Sequence, residues 1–256
     1  AALRDGWLLA RDENFELLRF GGQQPAWMHF PHSRLREAAY ESLKNPIEAH
    51  WLLAQSLSDE RAKVEQWSQC MQKVPGNQQA HWASMALRVG QEALRVSDFD
   101  GAFRVLRAGW QALREDGWDE HYLLLLDLSQ TLARVALIRS ELTFLKQVLL
   151  DIRMHGRNLP DQLAVWTLGM RALLAEDRWG EAFELSDEFL LRCGRDPHPR
   201  NKSSLRLALS LVSTLWALRG RGPDQLRHLA AATDPVLQAL QEVQTLAAYP
   251  HMRLLP

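Results

Sequence analysis

Two five-residue segments, Phe99-Asp100-Gly101-Ala102-Phe103 and Trp179-Gly180-Glu181-Ala182-Phe183, share one pattern: an aromatic, two small or acidic residues, alanine, phenylalanine. Phe103 and Phe183 lie 80 residues apart, Phe144 falls between them at steps of 41 and 39, and Leu226 follows Phe183 by 43. A period of about 40 residues, with two helices in each unit, predicts helical hairpins that must stack, because one hairpin cannot bury its apolar face alone. The small alanine on the first turn of the second helix lets two helices approach, and the aromatic after it fills the groove against the next hairpin. Apolar spacing places the helices at about residues 78–96, 100–115, 119–138, 141–155, 161–176, 179–193, 202–219 and 224–247.

The first 45 residues have a different texture. Ala1–Trp7 reads as the end of a helix. Leu8–Ala10, Phe15–Phe20 and Trp27–Phe30 are short apolar runs separated by Asp12-Glu13-Asn14, Gly21-Gly22 and Pro25. Three short strands followed by a helix fit the wing of a winged-helix fold. Ser33 is the expected N-cap of that helix, with Leu35, Ala38, Ala39 and Leu43 on its apolar face. Pro46 suits the first position of the next helix, with Ile47, Leu53 and Leu57 in period, and a further helix is expected from about Glu60 to Val74, stopped by Pro75-Gly76.

The whole is expected to be all-α in class. Residues 1–45 form a winged-helix remnant, 46–76 linking helices, and 77–256 a right-handed superhelix of about four hairpins.

Composition narrows the function. Thirty Lys and Arg against 31 Asp and Glu in 256 residues do not make a chain built to grip nucleic acid. The cysteines, Cys70 and Cys193, offer no disulfide framework and suit a reducing compartment. No apolar run approaches a membrane span and no signal peptide is visible. A cytoplasmic protein is expected, with no direct contact to nucleic acid or membrane. The opening on Ala1-Ala2-Leu3, without Met, suggests a piece of something longer.

Two resemblances rest on particular residues. Asp98–Phe103 and Asp177–Phe183 resemble the turn and second helix of tetratricopeptide-like repeats, in a longer and divergent form. Met28-His29-Phe30-Pro31-His32-Ser33-Arg34-Leu35-Arg36-Glu37-Ala38-Ala39-Tyr40 resembles the Phe-x-His-Asp-Arg-x-x-x-Ala-Ala-Tyr segment that closes the winged-helix part of STAND signal-transduction ATPases. In those proteins, as here, tetratricopeptide-like repeats follow. The resemblance implies that His32 reaches the β-phosphate of bound ADP, with a helix N-terminus beside it. The family's Asp after that histidine is Ser33 here.

No Gly-x-x-x-x-Gly-Lys-[Ser/Thr] occurs, so the chain is not itself a P-loop NTPase. The resemblance places an ATPase domain N-terminal to Ala1. ATP and ADP are thereby implied for the parent protein, and no cofactor for this chain.

Other constellations are weaker. His29 and His32 are three apart and His50 follows at a distance, without the cysteine or carboxylate company of a zinc site, so no metal is expected. There is no nucleophile elbow and no His-Glu-x-x-His, and the chain is expected to have no catalytic site. Trp82, Trp110, Trp166 and Trp216 read as packing between hairpins.

Asp127, Gln130 and Arg134 form a polar stripe at i, i+3 and i+7. With Arg171 and Arg206 on later first helices, they are the candidate groove for a protein or small-molecule effector, although a solvated stripe with intrahelical pairing fits them too.

The expected function is a ligand- or protein-binding, autoregulatory sensor module of a larger signal-transduction ATPase or transcriptional regulator. Its partners would be its own nucleotide-binding domain and an effector, with oligomerisation of the parent. The alternative is a non-catalytic helical-repeat scaffold for protein–protein interaction.

Overall fold

Apolar residues recurring every three to four positions dictate helix along most of the chain. The computed structural model describes residues 9–10, 28–113, 117–196, 212, 216 and 233–253, and the fold is all-α. Two units divide between Val74 and Pro75.

In the first unit, β1 (Leu9–Ala10) pairs antiparallel with β2 (Met28–His29), Leu9 opposite His29 and Ala10 opposite Met28. The first and third expected strands thus meet in a ladder two residues long. Ala1–Trp7 and Phe15–Phe20 lie outside the described residues.

Helix α1 (Ser33–Glu41) begins with Ser33 inside it, so the N-cap is His32 and not Ser33. The extended His32 backbone turns its carbonyl to accept from the amides of Leu35 and Arg36 at 3.1 and 3.3 Å. Helix α2 (Pro46–Ser56) starts on Pro46, and Asn45 Oδ1 accepts from the Glu48 amide at 3.2 Å. Its periodic Leu53 is exposed, beside Leu52 at 57%.

Helix α3 (Glu60–Trp67) is capped by Asp59, which accepts from the Ala62 amide at 2.7 Å. It stops seven residues short of the expected Val74. Ser68 Oγ donates to the Glu65 carbonyl at 2.7 Å and Cys70 Sγ to that of Gln66 at 3.5 Å. Side chains thus compete for carbonyls that a longer helix would use. The amides of Gln69 and Cys70 bond only three residues back, to Gln66 and Trp67. This tight turn buries Trp67 and Cys70 together.

The second unit begins with α4 (Gly76–Arg95) and α5 (Phe99–Leu113), followed by a single turn, α6 (Gly117–Glu120). Next come α7 (Tyr122–Ile138), α8 (Leu142–His155), α9 (Leu163–Ala175) and α10 (Trp179–Arg192). The last described helix is α11 (Pro235–Arg253). The expected helix 119–138 is two pieces, because His121 leaves helical geometry at φ −128° and ψ 40° and the chain bends there. Helix 202–219, apart from Val212 and Trp216, and residues 224–232, with Leu226, lie outside the described residues.

One turn recurs three times. Ser97, Ser140 and Asp177 stand at φ between 57° and 60°, in the left-handed region. At each, the next amide bonds a carbonyl five residues back: Asp98 to Ala93 at 2.8 Å, Glu141 to Ala136 and Arg178 to Leu173 at 2.9 Å. The left-handed residue itself bonds three back, to Leu94, Leu137 and Leu174. This is the Schellman geometry. It folds α4 on α5, α7 on α8 and α9 on α10, so the described residues hold three hairpins. Gly194, at φ 68°, closes α10 in the same way.

The turns also correct the repeat. They are 43 and 37 residues apart, so Phe144 is equivalent to Gly101, and Lys146 stands where Phe103 does. Phe144 still meets the first hairpin, with its ring edge-on to Phe103 at 5.4 Å and to Trp110 at 5.7 Å. Arg139 joins the same hairpins by pairing with Asp100 and lying over the Phe103 ring at 4.9 Å.

Packing follows chain order: α7 lies on α4 and α5, α9 on α7 and α8, and α11 on α9 and α10. Leu106, Trp110, Leu125, Leu128, Leu132, Leu145 and Ile152 fill the core between them. Ala102 and Ala182 are buried, and Gly90 lets α5 come close to α4: a Cβ there would sit 2.5 Å from Leu106 Cγ. Trp82, Trp110 and Trp166 are buried, whereas Trp216 is 75% exposed, contrary to the packing role expected for it.

Candidate binding groove

Where α8 and α10 flank α9, a groove of about 280 Å³ opens. Its floor is apolar. Leu149 and Leu150 come from α8, Val165, Gly169, Ala172 and Leu173 from α9, and Leu185 from α10. The α9 residues sit at i, i+4, i+7 and i+8, so one helix face supplies them. Small residues keep the floor open. A Cβ at Gly169 would press on Leu185 Cδ2 at 3.1 Å and reach Leu149 Cδ1 at 3.8 Å. Leu150 and Met154, one turn apart on α8, are 55% and 62% exposed and extend this apolar surface.

Three cations stand at the rim: Lys146, Arg153 and Arg178. Each is held by a carboxylate. Lys146 Nζ donates to both Glu176 oxygens at 2.7 Å, and Arg178 adds a bond to Glu176 at 3.1 Å and one to Glu181 at 2.6 Å. Arg153 donates to Glu188 at 2.5 Å. The Lys146–Glu176 and Arg153–Glu188 pairs each tie α8 to the third hairpin. Lys146, and after it Arg178, hold the Glu176 carboxyl below its ordinary range. A neutralised rim over an apolar floor suits uncharged, apolar groups better than an anion.

The expected groove residues do not converge. Gln130 Nε2 donates to the Asp161 carbonyl at 3.1 Å, and Arg171 Nε to Glu242 of α11 at 3.0 Å. Both therefore join elements of the stack. Asp127 and Arg134 are exposed on α7, and Arg206 lies outside the described residues. His32 is exposed at the head of α1, and its side chain makes no capping bond.

Sequence reasoning missed a polar knot around the α8–α9 connection. Trp118 Nε1 donates to the buried Asp151 at 3.3 Å, and its indole stacks on His155 at 4.9 Å. Tyr122 donates to Asp161 at 2.5 Å and accepts from the Arg157 amide at 2.9 Å, with the Arg157 guanidinium over its ring. Burial, and then the Asp161 carboxylate, push the Tyr122 phenol up. Gln162 Nε2 reaches the carbonyls of Arg153 and Gly156. These partners lie up to 39 residues apart, and only an aromatic and an acidic residue near each helix end signalled them.

Burial also raises both thiols, Cys70 and Cys193, although Arg195 pulls Cys193 the other way. No group of three His, Cys, Asp or Glu that could hold a metal occurs among the described residues, and no described helix is long and apolar enough to cross a membrane. No protein-family model, curated protein or solved structure matches the chain.

Proposed function

We propose that this chain is the binding and autoregulatory part of a larger signal-transduction ATPase of the STAND type. In this reading the hairpins are tetratricopeptide-like repeats and the residues before them the remnant of a winged helix. The observation that carries it is the stack of three hairpins sharing one turn geometry, which follows the His32 motif in chain order. Such a stack offers long, rigid surfaces for a protein or small-molecule effector. A switch requires that the effector bind the open parent more tightly than the closed one. His32 is exposed at the N-terminus of α1, and in this reading it offers an imidazole N–H to a phosphate of ADP held by the ATPase domain of the parent.

The test is ADP binding by calorimetry to the parent protein, native against His32→Ala. A tenfold or greater loss, about 1.4 kcal/mol, supports the reading. Binding that ignores His32, or no nucleotide binding at all, refutes it. The neutral, apolar groove favours a second reading, a scaffold that holds an apolar segment of a partner protein. That reading predicts partner binding without any nucleotide effect.

A further inference from the structure

Three helices of the first unit bring together a phenol, an imidazole and an amide. Tyr40, near the end of α1, has its Oη 3.1 Å from Nε2 of His50 on α2. Nδ1 of the same ring lies 2.7 Å from Oε1 of Gln66 on α3. An amide oxygen only accepts, so Nδ1 carries the ring proton, and Nε2 presents its lone pair to the Tyr40 hydroxyl. Tyr40 as a residue is 47% exposed, while His50 and Gln66 are half-buried. A reagent can therefore reach the oxygen while the base behind it is held in place. Nucleophile, base and an orienting third group in hydrogen-bond sequence is the arrangement that activates weak oxygen nucleophiles.

We propose that Tyr40 is a site of covalent acylation by activated esters or thioesters, with His50 as its general base. The Tyr40 oxygen attacks the carbonyl carbon and the new C–O bond forms. The phenolic proton passes to His50 Nε2, and the imidazolium keeps its Nδ1–H bond to Gln66. The bond from the acyl carbon to the leaving group breaks, and the leaving group departs with its electron pair. His50 then returns its proton to solvent. An acyl donor suits the site better than a phosphoryl donor, because among the described residues no cation is hydrogen-bonded to the phenol or the imidazole. The modification would be felt by the fold. The Tyr40–His50 contact is the one side-chain hydrogen bond from α1 to another described helix, and an ester at Tyr40 has no proton to donate. This inference is independent of the nucleotide reading of His32.

The experiment treats the full chain with p-nitrophenyl acetate and follows acetylation of the Tyr40 peptide by mass spectrometry, with N-acetyltyrosinamide as the reference phenol. Tyr40 should react at least tenfold faster than the reference. His50→Ala should remove that excess, and added imidazole should restore part of it, which a merely structural role for His50 would not produce. His50→Gln serves if the alanine variant does not fold. Acetylation of Tyr40 at the reference rate overturns the proposal, as does a rate unchanged by loss of His50.

Discussion

The two units are built on different principles. In the first, α1, α2 and α3 are 9, 11 and 8 residues long, and polar caps and pairs stand beside a small buried cluster of Ala54, Val64, Trp67 and Cys70. Asn45 and Asp59 cap helices, Lys73 pairs with Glu48, and His50 links Tyr40 to Gln66. Helix α1 has no fully buried residue, only half-buried Leu35 and Ala39. In the second, side-chain N-caps are scarce and the helices are held by interdigitated Leu, Trp, Ala and Gly. Apolar burial is cumulative and local hydrogen bonds are each of modest net worth. The second unit should therefore withstand denaturant longer and exchange its amides more slowly.

The sharpest way to break this contrast is to cut into the larger core. Trp166 is fully buried, stacked on Phe189 at 5.4 Å and overlain by Arg153 and Arg192. Trp166→Ala should cost about 3–5 kcal/mol in urea unfolding of the second unit. Trp166→Phe should cost much less, since the indole N–H has no hydrogen-bond partner among the described residues to lose. In the first unit Leu35→Ala, at a half-buried position of α1, should cost only about 1 kcal/mol. Equal losses for Trp166→Ala and Leu35→Ala would erase the distinction.

A smaller effect probes close packing. Gly90→Ala drives a methyl against Leu106, which should cost about 1–3 kcal/mol and overwhelm the gain in helix propensity. Gly180, with nothing within 4 Å of its notional Cβ, should instead be stabilised by alanine. Melting temperatures that move in the same direction for both would contradict the packing account.

Smaller again, Asp59→Ala should cost the first unit about 1 kcal/mol through loss of the α3 cap, read as faster amide exchange in 60–67. The second unit should not respond.

The least effect belongs to Glu176. Its carboxyl is held below the ordinary range, so the pairing with Lys146 and Arg178 stabilises fully above the ordinary carboxylate value and fades as pH falls through the lowered one. An acid titration of Glu176→Gln should lose a small part of the native acid sensitivity. The pair is partly exposed, so salt should shrink the difference.

Helix existence was legible in the sequence because 3.6-residue periodicity is imposed by burial on one face. Ends and register were less so. Ser68 and Cys70 ended α3 through bonds to carbonyls that periodicity does not report. Phe144 matched the repeat by residue type, yet its turn sets it two positions away from the place of Phe103, because the turns at Ser97 and Ser140 are 43 residues apart and not 41. The groove was sought on the polar stripe of α7 and opened between α8 and α10. Polarity marks what water touches, whereas a groove is made where small side chains such as Gly169 and Ala172 leave room. The knot of Trp118, Asp151 and His155 depends on contacts between hairpins, which no local pattern contains.

The recurring left-handed turn has a consequence for how such a chain can be lengthened or shortened. Ser97, Ser140 and Asp177 are interchangeable junctions, since the backbone enters and leaves each one with the same hydrogen bonds. A segment cut at one junction and rejoined at the next carries the second helix of one hairpin and the first helix of its successor. What travels is an intact seam between neighbours, already packed. Recombination at serine or aspartate, with no glycine required, would thus trade whole interfaces and leave every hairpin bend as it was.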